Sequence, residues 1–226
     1  MKETQFHRHL YDVREDLVRM AGLVETSVHQ AVISFLGRDA EGAREVIRTD
    51  RRIDLMENDI EKKCLGLLAT QQPVAGDLRF ISSTLKIISY LERMGDQAVN
   101  LAQRGLALGE LEPMPAPPTL VSMGEIAQEM VGSCLDAHLK ENVDLAVEVL
   151  RRDDDLDRLC RSFLEEMVGW MNQEQRIIRR AVELILASRH LERVGDEATN
   201  IAEEVIYWLE GRIVRHGGPK PDQPGD

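Results

Sequence analysis

Apolar residues recur along most of this chain at intervals of three and four, the rhythm of a helix that buries one stripe and wets the rest. Between about Thr4 and Leu36 the inward set reads Leu10, Val13, Leu17, Met20, Leu23 or Val24, Val28, Ala31 and Phe35, and Gly37-Arg38-Asp39 breaks the pattern. A second helix is predicted over about Ala40 to Ala69, turning Val46, Ile53, Met56, Ile60, Cys64 and Leu67 inward. Thr70-Gln71-Gln72-Pro73 ends it, with Pro73 placed to sit in the first turn of a third helix that runs to about Leu108. At 1.5 Å per residue that helix would be roughly 50 Å long, and a helix of that length must bury a stripe along a partner.

Proline is costly inside a helix, so the positions of the eight prolines mark where helices stop. Pro73 stands alone, Pro113, Pro115, Pro117 and Pro118 cluster, and Pro219, Pro221 and Pro224 lie at the end. The cluster makes Gly109 to Pro118 a stiff linker. The rhythm then restarts, with helices predicted over about Thr119–Leu139, Asn142–Met171 and Gln173–Val214. The Gly- and Pro-rich stretch His216–Asp226 reads as a disordered tail.

The restart is a repeat. At an offset of 103, Leu17, Val18 and Met20 match Leu120, Val121 and Met123, and Val46, Asp50 and Asp54 match Val149, Asp153 and Asp157. At an offset of 100, the stretch Leu91-Glu92-Arg93-Met94-Gly95-Asp96-Gln97-Ala98-Val99-Asn100-Leu101-Ala102 returns as Leu191-Glu192-Arg193-Val194-Gly195-Asp196-Glu197-Ala198-Thr199-Asn200-Ile201-Ala202, with eight of twelve residues identical. The three-residue difference falls in the turn between second and third helices, where deletions are tolerated. The expected fold is therefore all-α: two tandem, pseudo-symmetric three-helix bundles of six long helices. The repeats would span 1–108 and 119–215, joined by the linker 109–118 and followed by the tail 216–226, with the bundles meeting near the linker.

The duplicated stretch also carries the candidate chemistry. Glu92, Asp96 and Asn100 stand four apart and line one side of a helix, as do Glu192, Asp196 and Asn200. Gly95, Ala98 and Ala102 lie on an adjacent side, where small residues let a neighbouring helix approach. The second helix adds its own ladder, Asp50, Asp54, Glu57 and Glu61, and the fifth adds Asp153 and Asp157 with Asp154 and Asp155 beside them. Facing carboxylates repel unless they are protonated, paired with arginine or bridged by a cation. An oxygen-only donor set suits hard cations such as Mg, Ca or Mn, and also Fe. The candidate ligands are Glu92 and Asp96 with Asp50 and Asp54 in one half, and Glu192 and Asp196 with Asp153 and Asp157 in the other. Asn100 and Asn200 are weaker or outer partners. Carboxylates at this spacing also occur on solvated helix faces; the duplication beside a small-residue seam favours metal. Glu25 and His29, four apart on the first helix, could add ligands but read more readily as a surface pair.

Composition narrows the function classes. A net charge of −12 gives no basic surface for wrapping nucleic acid. No apolar run is long enough to span a bilayer, and Met1-Lys2-Glu3-Thr4-Gln5 lacks the apolar core of a signal peptide, so a cytosolic protein is expected. Cys64, Cys134 and Cys160 are far apart and sit among apolar helical residues, as core filler; Cys160, one turn past Asp157, keeps a minor claim as a soft ligand. GxGxxG, Walker A and GxSxG motifs are absent.

Three stretches in this order resemble the PhoU family of phosphate-transport regulators. They are Met20-Ala21-Gly22-Leu23-Val24-Glu25, then Gln71-Gln72-Pro73-Val74-Ala75-Gly76-Asp77-Leu78-Arg79, and the paired Leu-Glu-Arg-x-Gly-Asp stretches. With the repeat, the resemblance covers roughly Phe6 to Val214. It implies two pseudo-symmetric three-helix bundles, often dimeric, with iron, zinc, manganese or magnesium held on the ExxxD faces. It implies a regulator rather than an enzyme, one that restrains phosphate uptake and phosphate-starvation signalling. The partners it implies are the ATP-binding subunit of the phosphate ABC transporter, PstB, and the sensor histidine kinase PhoR. The chain departs from that pattern in its second half, which has Asn172-Gln173-Glu174-Gln175 for the Gln-Gln-Pro-Val turn, and Cys160 and Leu164 in place of Glu57 and Glu61. The second site is therefore expected to be weaker or differently populated. Two other classes stay open. A catalytic di-metal bundle would use Glu-x-x-His pairs, and the chain contains none. A metal-free helical scaffold would use its acidic stripes only for salt bridges.

Overall fold

A computed structural model describes residues 2–112 and 115–214. Its regular structure consists of α1 (Lys2–Gly37), α2 (Ala40–Gln71), α3 (Ala75–Gly109), α4 (Pro118–Leu139), α5 (Val143–Gln173), a single 3-10 turn (Gln175–Ile177) and α6 (Ile178–Glu210). The all-α fold of six long helices expected from the apolar rhythm is the fold observed. The expected tail, 216–226, lies outside the described residues.

The apolar stripes face inward as read. Val13, Met20, Val24 and Ala31 on α1 are fully buried, as are Ile60 and Cys64 on α2, and Leu10, Leu17, Val28 and Phe35 are buried with them. Met56 is only partly buried against this core. α1 packs on α2 and α3, and α4 packs on α5 and α6, giving one three-helix bundle in each half.

The turns preserve the repeat in detail. Asp39 caps α2, its Oδ1 accepting from the backbone N–H groups of Glu41 and Gly42 at 3.0 and 3.1 Å. Asn142, its equivalent 103 residues on, caps α5 in the same way through Asp144 and Leu145 at 2.9 and 3.2 Å. Each cap follows a residue in left-handed backbone, Arg38 at φ 56° and Glu141 at φ 49°. A side-chain acceptor at this position satisfies N–H groups that no helical turn can reach.

Three expectations are corrected. Pro73 does not enter the first turn of α3, which begins at Ala75; Gln72 is left-handed and Val74 is extended, so the chain reverses before the helix starts. α5 runs through Met171 to Gln173, the 3-10 turn follows, and α6 starts at Ile178 rather than Gln173. α6 also stops at Glu210 rather than Val214, because Gly211 adopts φ 70° and its N–H bonds back to the carbonyl of Tyr207 at 2.8 Å.

The bundles meet along the length of α3 and α6, from the linker end, where Arg179 lies 4.0 Å from Glu110, to the far end, with a smaller contact between α1 and α4. The two helices run antiparallel and are joined by a ladder: Lys86 to Glu204 at 2.8 Å, Arg93 to Glu197 at 3.1 Å, Gln97 to His190 at 2.9 Å and Arg104 to Glu183 at 3.0 Å. One hydrophobic core runs continuously through both halves. At the far end of the α3–α6 seam, the Arg14 guanidinium lies 4.5 Å from the Phe80 ring centre, and Phe80, His138 and Trp208 pack ring against ring.

Candidate acidic metal centres on two helix seams

Gly95 sets the separation of α2 and α3. A Cβ there would lie 3.0 Å from Ile53 Cδ1 and 3.7 Å from Asp50 Oδ1. Ala98 and Ala102 are buried along the same seam. This close approach brings the α2 ladder beside the acidic face of α3, as the spacing of small residues implied.

The result is a cluster of like charges. The Glu92 carboxyl is pushed up to about 7, first by burial and then by Asp96, Glu57, Asp54 and Asp50. Asp50 is raised by burial, then Asp54 and Asp96, and Asp96 is raised by burial and Asp54. Asp50, Asp54 and Glu92 are half-buried, and Asp96 is exposed. Glu57, left out of the candidate ligand set, belongs to this cluster, and its Oε1 accepts a hydrogen bond from Ser89 Oγ at 2.9 Å. Glu61 is exposed and acts on Cys64. Asn100 is half-buried on the same helix.

The second half has the same seam and different charges. Gly195 packs more tightly than Gly95, with a Cβ there only 2.5 Å from Leu156 Cδ2. Asp153 is buried, and Asp157, Glu192, Asp196 and Asn200 are half-buried. Glu192 is ion-paired with Arg189 and accepts from Cys160 Sγ at 3.4 Å. Asp157 is paired with Arg161 at 3.4 Å. Asn200 Nδ2 donates to Glu197, the residue that meets Arg93 across the α3–α6 seam. Cys64 and Cys134 are fully buried core residues, whereas Cys160 lies at the site.

Sequence reasoning missed Ser89 and Arg189, which touch Glu57 and Glu192 respectively. The two residues are equivalent at the offset of 100, but they lie just outside the duplicated stretch and differ in kind, so the repeat alone does not single them out. Glu25 and His29 lie elsewhere, beside a cleft of about 280 Å³ between α1 and α4, where His29 Nδ1 is 2.5 Å from Gln128 Oε1.

The α2–α3 donor set fits a hard cation in chemistry, being oxygen-only and crowding like charges that help raise the Glu92, Asp50 and Asp96 carboxyls. Among the described residues, no group of three or more His, Cys, Asp or Glu side chains converges closely enough to hold an ion as placed. Rotation of these half-exposed side chains toward one another would be needed to close a coordination shell.

Comparison with known proteins places this arrangement. The PhoU domain model matches residues 17–105 and again 120–205, once in each bundle. A phosphate-specific transport system accessory protein PhoU homolog of Pseudomonas aeruginosa is 41% identical over 215 residues, covering 95% of this chain and 89% of that protein. The Aquifex aeolicus homolog is 39% identical, covering 92% of this chain and 95% of its own. The crystal structure of PhoU from Pseudomonas aeruginosa superposes with a TM-score of 0.89 at 40% identity, covering 92% of this chain and all of that one. The phosphate transport system regulatory protein PhoU from Streptococcus pneumoniae superposes with a TM-score of 0.86 at 28% identity, covering 93% and 100%. With both halves matched and the six-helix fold shared along nearly its whole length, this chain belongs to the PhoU family.

Proposed function

We propose that this protein is a regulator of phosphate uptake and phosphate-starvation signalling that works by contact, without catalysis. The observation that carries the reading is the match of both bundles, over nearly the whole chain, to accessory proteins of the phosphate-specific transport system. Its long exposed helical faces suit docking on other proteins. Among the described residues no helix is long and apolar enough to cross a membrane, which is consistent with a protein that reaches a transporter by binding it. In this reading it acts from the cytosol as a homodimer, and it bridges the transporter's ATP-binding subunit PstB and the sensor histidine kinase PhoR, keeping signalling off when phosphate is plentiful.

The same proposal gives the acidic α2–α3 cluster a metal ion of the Fe, Mn, Zn or Mg type. Glu92, Asp96, Asp50 and Asp54 would hold it, with Glu57 within reach. The ion would supply the positive charge that lets these carboxylates ionise together, stiffening the seam or shaping the docking face. A deletion strain grown in excess phosphate with a phosphate-responsive reporter tests the regulatory reading. Derepression that is reversed by the wild-type gene is expected. A silent reporter, together with no recovery of either partner in pull-downs, would refute it.

A further inference from the structure

The internal repeat supplies its own control. Equivalent positions in the two halves carry the same ExxxD carboxylates but different neighbours. Ser89 of α3 becomes Arg189 of α6, and Asn58 of α2 becomes Arg161 of α5. Glu57 and Glu61 become Cys160 and Leu164. The structure shows what the exchange does. Arg189 lies against Glu192, Arg161 against Asp157, and Cys160 offers a weak donor to Glu192 where Glu57 would add a charge. Among the described residues, Glu92 and Asp54 have no corresponding ion pair. Asn58 instead spends its amide on the backbone carbonyl of Asp54 at 2.7 Å, and Ser89 offers its hydroxyl to Glu57. The arginines next to Asp50, Arg51 and Arg52, are exposed, and Arg93 is committed to Glu197 across the bundle interface.

We infer that the two pseudo-equivalent sites are neutralised by different cations. The α2–α3 cluster takes a metal ion from solution, whereas in the α5–α6 site the guanidinium groups of Arg189 and Arg161 occupy that role, so the chain binds metal in one half only. A guanidinium is permanently charged and presents donors that suit a carboxylate, so it competes with a cation for the same oxygens. The second half lacks Glu57 and Glu61 but carries Asp154 and Asp155 where the first has Arg51 and Arg52, so what sets it apart is not fewer acids but the arginines held against Glu192 and Asp157. This rests on the metal reading given above for the first half.

Manganese binding to chelator-treated full-length protein, followed by calorimetric titration, separates the cases. Wild type is expected to bind at the first half alone, losing binding in E92A/D96A and keeping it in E192A/D196A. The variant R189S/R161N, which copies the first-half residues, is expected to gain a second set of sites. Retention of half the manganese by wild type carrying E92A/D96A would overturn the inference while leaving metal binding in place. No manganese bound by wild type at all would overturn the metal reading and this inference together. Failure of folded R189S/R161N to gain sites would overturn the role of the arginines.

A second measurement needs no metal and holds even if R189S/R161N fails to fold. In chelator, E92Q removes repulsion and is expected to raise the melting temperature by about 2–4 °C, the shift that corresponds to about 1 kcal/mol in a chain of this size. E192Q gives up the exposed Arg189 ion pair and is expected to lower the melting temperature by a smaller amount. Shifts of the same sign in both variants would contradict different neutralisation.

Discussion

His138 shows how much a single residue can say about conditions. It is buried between Arg14 of α1, Phe80 of α3 and Trp208 of α6, near Glu141, and among the described residues its Nε2 has no hydrogen-bond partner. Its pKa is held down to about 4, first by burial and then by Arg14, with Glu141 opposing. In the unfolded chain it would titrate near 6.5, so the unfolded state binds the extra proton between those values. The stability that neutral His138 supports is therefore present above about pH 6.5 and is lost as pH falls toward 4. A shift of this size corresponds to about 3 kcal/mol at its acid limit. Substitution H138F, which keeps an aromatic ring and removes the titration, should flatten part of the acid-side fall in melting temperature between pH 6.5 and 4. His190, also lowered to about 4, by burial and then Arg193 and Arg104, supplies a further part that the variant retains. An unchanged pH profile in H138F would show that the junction does not keep this ring neutral.

At the scale of the helix, the seam glycines are not equivalent although their sequence contexts are. A Cβ at Gly95 meets the flexible tip of Ile53 at 3.0 Å, and the gain in helix propensity from glycine to alanine, up to about 1 kcal/mol, offsets the contact. A Cβ at Gly195 would lie 2.5 Å from Leu156 Cδ2 and 3.4 Å from Met130 Cε, in a place closed by both α4 and α5. Overpacking of that kind costs about 1–3 kcal/mol. Denaturant midpoints should therefore fall in G195A and stay near wild type in G95A.

The helices themselves were legible in the sequence because their apolar stripes obey one period and their prolines stand outside. The caps Asp39 and Asn142 lie where the repeat offset puts them. What misled the reading was local. A proline after Gln72 suggested a helix start, but the left-handed Gln72 and extended Val74 come first. The polar run Asn172–Gln175 contains neither glycine nor proline, so nothing in it marked the change from α5 through the 3-10 turn to α6. The carboxylates of the site were legible because they are duplicated. Ser89 and Arg189 were not, since they lie two residues upstream of the matching stretch and differ in kind.

At the scale of the molecule, the two bundles form one body. Helix α3 presents one side to α1 and α2 and another to α6, and α6 does the same in reverse. A sequence with two buried faces on one helix does not announce which neighbour each face meets, so only the linker end of the junction is legible in it. The α3–α6 ladder places Glu204, 8% exposed, against Lys86, and Glu197 against Arg93. Charges on the bundle interface are thus internally matched, as they are beside Glu192. The α2–α3 seam differs, because the charged groups that act on Glu92 are all carboxylates. On the metal proposal, an external cation completes this seam and thereby stabilises the whole chain. Thermal melting of the chelated protein with and without manganese, alongside the variant E92A/D96A, tests this. A melting temperature that rises with manganese in wild type and not in E92A/D96A is the expected result. An identical melting temperature for chelated and manganese-loaded wild type would contradict the claim.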